Sequence, residues 1–169
     1  MDTQILPATA EHLQAISDLA AVIWRAHYPG IISGEQIEFM LRQMYSLETM
    51  RAELDRGVRY DRLLLDEQLA GFASYGPLTD SSIKLHKFYL HSRWRGLGLG
   101  GRLLQHVEAE AQKLGATKLL LNVNKRNVVA IEFYRRSRFV IRESVIVPIG
   151  GGFVMDDYVM EKLLPTSSV

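Results

Sequence analysis

The sequence predicts an α/β sandwich: a mixed, mostly antiparallel sheet of about seven strands with helices on both faces. Three observations carry that prediction. Apolar residues switch between helical and strand spacing along the chain in the order β-ααα-ββ-β-α-β-α-ββ. A glycine-rich stretch joins one strand directly to an amphipathic helix. The 169 residues hold no repeat, low-complexity tract or linker, which suits a single domain over residues 1–169 with one well-buried core.

Each element follows from local pattern. Ile5 and Leu6 make a short first strand. Thr9 can cap a helix over residues 10–26, with Leu13, Ile16, Leu19, Ala20, Ile23 and Trp24 on one face. His27-Tyr28-Pro29-Gly30 ends it. Ser33 to Gln36 has capping-box spacing and opens a second helix through Ile37, Met40, Leu41 and Met44. A third helix spans 47–56, and Gly57 stops it. Strands over 62–65 and 69–75 flank Asp66-Glu67-Gln68 as a hairpin, closed by Gly76-Pro77. A strand over 83–90 leads into the glycine stretch. The helix after it turns Leu99, Leu103, Leu104, Val107, Ala111 and Leu114 inward and ends at Gly115. A strand over 118–123, a helix over 127–137 and strands over 139–147 and 154–163 complete the chain, with Gly150-Gly151-Gly152 as the last turn.

Composition narrows the function class. Without cysteine there is no disulfide, thiolate metal site or cysteine nucleophile, which suits a reducing, cytoplasmic setting. The five histidines (His12, His27, His86, His91, His106) show no metal-ligand spacing, so no metal is expected. No apolar run is long enough to span a bilayer, and the first residues lack the basic start of a signal peptide. The net charge is +1, but residues 1–82 hold 12 Asp/Glu against 6 Lys/Arg, and residues 83–169 hold 14 Lys/Arg against 7 Asp/Glu. No aromatic pattern for single-stranded nucleic acid accompanies the basic half, so nucleic acid is not the expected partner. The split suits a phosphate-bearing partner against the basic half and a cationic one against the acidic half. No membrane is expected, and a homodimer is left open.

The most informative segment is Arg95-Gly96-Leu97-Gly98-Leu99-Gly100-Gly101, between a strand and a helix. Glycines there let backbone N–H groups approach an anion, the helix N-terminus adds roughly half a positive charge, and Arg95 adds a full one. Two motifs fit. Gly96, Gly98 and Gly101 match G-x-G-x-x-G, which requires an acidic residue about 20 positions on to hold a ribose. The next strand is followed by Asn124, Lys125, Arg126 and Asn127, with no carboxylate, so the nicotinamide reading fails. The other fit is Arg95-x-x-Gly98-x-Gly100, which resembles the [Q/R]-x-x-G-x-[G/A] motif of the GNAT acetyltransferases, the Gcn5-related N-acetyltransferase superfamily.

A second segment carries the same resemblance. Asn127 to Tyr134, ending at Phe139, is similar to that family's N-x-x-A-x-x-[F/L]-Y-x-x-x-G-F. The likeness covers about residues 83–163 well and the first half in outline. The overall pattern, including the terminal Asp157-Tyr158-Val159-Met160-Glu161-Lys162, looks most like the Pai-type polyamine acetyltransferases. The resemblance implies a GNAT-like sandwich and an enzyme that moves the acetyl group of acetyl-CoA to a primary amine, such as a polyamine or another small cationic amine. It implies that Gly96, Leu97, Gly98, Leu99, Gly100 and Gly101, with Arg95, seat the pyrophosphate of CoA. Phe88, Tyr89 and Leu90 would follow the pantetheine strand, with Asn122 and Asn127 beside them. Tyr134 stands where the family's tyrosine hydrogen-bonds the CoA sulfur, and a phenol of pKa about 10 can protonate a departing thiolate.

The base is less regular. Many relatives carry Glu two residues ahead of the position of Phe88, and here that residue is His86. An unperturbed imidazole, pKa about 6.5, suits the role. Tyr75, Glu67, Asp156 and Asp157 are alternatives. On the acceptor side the resemblance points to His27, Tyr28, Tyr75 and Asp157. Trp24 and Tyr45 read as core. One departure is Arg138, where the family has Gly at a position that often needs positive φ. Two other functions remain open from sequence: a protein N-terminal or lysine acetyltransferase, and a non-catalytic acyl-CoA-binding regulatory domain.

Overall fold

The computed structural model describes residues 1–166. Strand β1 (Thr3–Pro7) leads through a 3-10 turn (Ala10–His12) into helix α1 (Leu13–His27). The cap expected at Thr9 takes a different form. The Thr9 N–H donates to Nδ1 of His12 at 2.9 Å, so the first turn tightens and the α-helix starts later. Helix α2 (Gly34–Tyr45) begins as predicted, with the Ser33 hydroxyl accepting from the Gln36 N–H. Helix α3 (Leu47–Asp55) has a cap the sequence reading missed, Ser46, whose hydroxyl accepts from Thr49 N–H.

Strands β2 (Arg59–Leu65) and β3 (Gln68–Thr79) form the predicted hairpin. Asp66 and Glu67 form its tight turn, both with positive φ (47° and 67°). Gly76-Pro77 does not close it. The β2–β3 ladder ends at Arg59↔Tyr75, so Pro77 breaks no bond to β2 and β3 continues to Thr79. Strand β4 (Ser82–Leu90) precedes helix α4 (Leu99–Lys113). Then follow β5 (Lys118–Asn124), α5 (Val128–Arg136), β6 (Val140–Gly150) and β7 (Phe153–Leu163). Leu114, expected inward, lies just past α4 and is 44% exposed, because the helix end turns it away.

The seven strands form one sheet in the order β1-β2-β3-β4-β5-β7-β6. β1–β2, β2–β3, β5–β7 and β6–β7 are antiparallel, and β4–β5 is parallel. This is the predicted mixed α/β architecture. By packing, the chain forms two compact units. One comprises Met1–Gly76 and His86–Val107, the other Pro77–Leu85 and the chain from Glu108 onward. In the first, α1 buries Leu13, Ile16, Ala20, Ile23 and Trp24, as its spacing predicts, and Leu19 is half-buried. Gly71 on β3 is required by a close approach: a Cβ there would stand 2.6 Å from the Tyr89 carbonyl oxygen. In the second, Leu119, Leu121, Ile131, Phe139 and Met160 are buried.

Candidate active site

The glycine stretch lies wholly in the first unit. After β4 a 3-10 turn (Ser92–Trp94) forms, and the His91 Nδ1 accepts from the Arg93 N–H at 3.0 Å. Gly96 and Gly98 then take positive φ, 80° and 73°, which L side chains avoid. A Cβ built on Gly96, Gly98 or Gly101 meets no atom within 4 Å, so the surface around the loop is open. Buried Leu99 and Leu103 anchor the helix behind it. The first bond back to the loop is Arg102 N–H to the Gly98 carbonyl, 3.2 Å. The amides of Leu99, Gly100 and Gly101 precede it and belong to the turn whose donors have no acceptor inside the helix. Arg95 is exposed beside them. Free amides, a helix N-terminus, room where side chains would be and a guanidinium together fit a pyrophosphate.

In the second unit, the turn from β5 to α5 is held by asparagines. The Asn124 Oδ1 accepts from Arg126 N–H at 2.9 Å, and the Asn127 Oδ1 accepts from Ala130 N–H at 3.4 Å, capping α5 as predicted. Asn127 is buried and Asn122 exposed. Tyr134, 7% exposed, has ring centroids of Phe133 and Phe139 each 5.4 Å away. Asp157 on β7 is buried, and its Oδ1 has no hydrogen-bond partner. Burial pushes its carboxyl above the ordinary aspartate range, although the Asn122 side chain pulls the other way.

The residues assigned to the acceptor divide among several environments. His27 is half-buried and meets Tyr28 edge-on, centroids 5.1 Å apart. Tyr28 packs on Trp24 at 4.2 Å, and its hydroxyl lies 3.0 Å from that of Tyr89, which links an acceptor candidate to a cofactor candidate. Phe88 and Leu90 are half-buried. Tyr75 is fully buried and donates to Asp61 Oδ2 at 2.5 Å, an oxygen that also lies 3.0 Å from His106 Nε2. His86 is exposed, with Nε2 3.9 Å from where a Gly76 side chain would begin. Glu67 stands exposed at the hairpin tip, and Asp156 pairs with Lys125 at 2.9 Å.

Sequence reading missed one charged cluster entirely. Lys87, 3% exposed, donates to the Met44 carbonyl (2.8 Å), Glu53 Oε1 (3.1 Å) and the Tyr60 hydroxyl (2.5 Å). Its ammonium also sits over the rings of Tyr45 and Tyr60. Burial lowers its pKa, partly offset by Glu53. The available signal was alternation: Leu85, Lys87 and Tyr89 share one strand face, so a lysine falls where apolar neighbours point inward.

Comparison with known proteins gives a consistent picture. The family model for the acetyltransferase (GNAT) family matches residues 18–139. A spermidine N(1)-acetyltransferase from Thermoplasma acidophilum is 28% identical over 161 residues, 92% of this chain and 97% of that protein. The structure of PaiA N-acetyltransferase from the same organism, in complex with coenzyme A, superposes with a TM-score of 0.84. It is 26% identical and covers 96% of this chain and 99% of its own. A second structure, yncA from Salmonella typhimurium with its cofactor acetyl-CoA, shares the fold at TM-score 0.68 and 18% identity, over 99% of this chain and 96% of that one.

Proposed function

The chain belongs to the acetyltransferase (GNAT) family, and from that premise we propose that it acetylates a small cationic amine, with a polyamine as the favoured acceptor. It is an acetyl-CoA-dependent N-acetyltransferase. The similarity to a spermidine N(1)-acetyltransferase over nearly the whole length of both chains supports the polyamine. One observation carries the cofactor assignment: Gly96 and Gly98 in left-handed conformations, with open space beside them, at the head of α4.

In this reading Leu97 to Gly101 donate backbone N–H groups to the pyrophosphate, and Arg95 supplies charge. Phe88 to Leu90 of the first unit, and Asn122 and Asn127 of the second, are the residues assigned to the pantetheine. Acetyl-CoA supplies an activated thioester. The Tyr134 hydroxyl holds the sulfur and gives it a proton as the bond to carbon breaks. An amine attacks only when unprotonated, and His86 removes that proton. His27 is the acceptor-side candidate of the first unit and Asp157 that of the second. Tyr28 and Tyr75 have their hydroxyls engaged by Tyr89 and Asp61, so they shape that side rather than bond the substrate. The chain works as one catalytic domain in the cytoplasm, a setting its cysteine-free sequence suits. No helix among the described residues is long and apolar enough to cross a membrane.

The test is acetyl-CoA turnover against polyamines, other small amines and peptides with free α-amino or lysine groups, read by release of free CoA. The highest kcat/KM is expected for a polyamine. Transfer confined to peptides would move the substrate to proteins. Tight acetyl-CoA binding without transfer to any amine would leave a non-catalytic acyl-CoA-binding domain.

A further inference from the structure

Among the described residues of the second unit, Asp157 is the one buried carboxylate with an oxygen left unpaired. It is 5% exposed, and Oδ1 has no hydrogen-bond partner, although a buried ionised oxygen accepts strongly. The charges around it leave that oxygen free. Asn122 on β5 is its side-chain hydrogen-bond partner. Lys125 is paired with Asp156 at 2.9 Å, and Lys84 on β4 acts on Asp157 through its charge. Its register partners are Asn124 on β5, which caps Arg126 N–H, and the uncharged Val145 on β6. The Asp157 Oδ1 can accept a further donor, and a cationic donor would also offset the buried charge.

The position suits a ligand. Asp157 pairs with the last residue of β5, where the chain turns through Asn127 into the helix bearing Tyr134. Carboxyl ends of strands that run into helices are where open α/β sheets bind ligands. We propose that the free oxygen of Asp157 receives the ammonium group of the acceptor and thereby restricts the enzyme to acceptors that arrive as cations. This rests on the acetyl-transfer reading above. An ammonium brings N–H donors to the unpaired oxygen and cancels its charge, so each partner removes the other's desolvation penalty. Burial, with Asp156 adding to it, raises the carboxyl's pKa, while Asn122, Lys84 and Lys125 oppose that rise. The free protein therefore holds this group at a cost that a cationic ligand relieves.

The experiment titrates spermidine calorimetrically into the CoA-bound protein, for the wild type, Asp157→Asn and Asp157→Ser. Spermidine binding should weaken roughly 10- to 100-fold in both variants, with acetyl-CoA affinity unchanged. The melting temperature of Asp157→Asn at pH 7 should not fall, because asparagine keeps an acceptor for the Asn122 side chain and removes a charge whose burial is only partly offset. Wild-type affinity should also decline on acidification, as Asp157 takes up a proton, and the variants should lack that limb. Spermidine binding equal to wild type in either folded variant overturns the proposal while the acetyltransferase reading stands. A wild type that transfers acetyl to no amine brings down that reading and this role together.

Discussion

Single residues show where the chain accepts backbone strain. Arg138 has φ 74°, with its N–H bonded to the Arg135 carbonyl and the Phe139 N–H bonded to that of Tyr134. That is the Schellman ending of α5, whose left-handed position normally holds Gly. An L side chain there costs about 1 kcal/mol relative to Gly. Arg138→Gly should raise stability by up to that amount, about 2–4 °C in melting temperature for a chain of this size, and leave acetyl-CoA KM unchanged. Both are read by thermal melts and steady-state kinetics. Tyr134 offers the complementary test. Its ring packs between Phe133 and Phe139, and phenylalanine would keep that packing. Tyr134→Phe should therefore fold normally yet lose roughly 10- to 1,000-fold in kcat with little change in acetyl-CoA KM. Normal turnover would return Tyr134 to the core. Arg138 was legible in sequence because a motif marks its position. The Tyr75 hydroxyl was not, since Asp61, its partner, lies one residue before the strand that periodicity predicts.

At the scale of elements, the loop and helix α4 act together. Gly98 holds φ 73° with open space around it. Gly98→Val would place a branched side chain in that space and in a conformation it avoids. Acetyl-CoA affinity, measured by calorimetry, should fall far more than stability, and unchanged affinity in a folded variant would remove the loop from the cofactor. The α2–α3 corner depends on a different device. Lys87 reaches from β4 to the last turn of α2, to Glu53 on α3 and to Tyr60 on β2. Lys87→Met alone would strand the Glu53 charge and should cost about 3–5 kcal/mol. Lys87→Met with Glu53→Leu should recover much of that loss in a denaturant melt. Elements with periodic apolar faces or glycine stops were found in place, with errors only at their ends, as at the start of α1 and at Leu114 after α4. A strand end decided by pairing was missed: β3 runs through Gly76-Pro77 because its ladder with β2 has already ended.

For the whole molecule, sequence showed the order of elements, the glycine loop before α4 and the capped helix of Tyr134, because each is encoded locally. The ionisable groups that tertiary packing buries were invisible to it, and they set the response to pH. Burial holds the Tyr45 and Tyr60 hydroxyls well above the ordinary tyrosine range, with the Glu53 charge adding to both. Unfolded, each would lose its proton near pH 10. A raised folded pKa gives stability that is complete below the unfolded value and is lost as pH climbs beyond it. Lys87 acts oppositely. Its folded pKa is lowered, so it contributes a rise in stability up to about pH 10.5, where it is neutral in both states. Above that point Lys87 contributes no further change, and Tyr45 and Tyr60 should each lower stability by as much as about 1.4 kcal/mol per pH unit. Tyr45→Phe separates the contributions. The Tyr45 hydroxyl makes no well-formed hydrogen bond and has only the Trp24 side chain near enough to oppose its rise, so losing it should cost little at pH 7 and should remove part of the alkaline slope. Denaturant melts between pH 7 and 11.5 read both effects. An undiminished slope in Tyr45→Phe would show that this hydroxyl is not what resists ionisation.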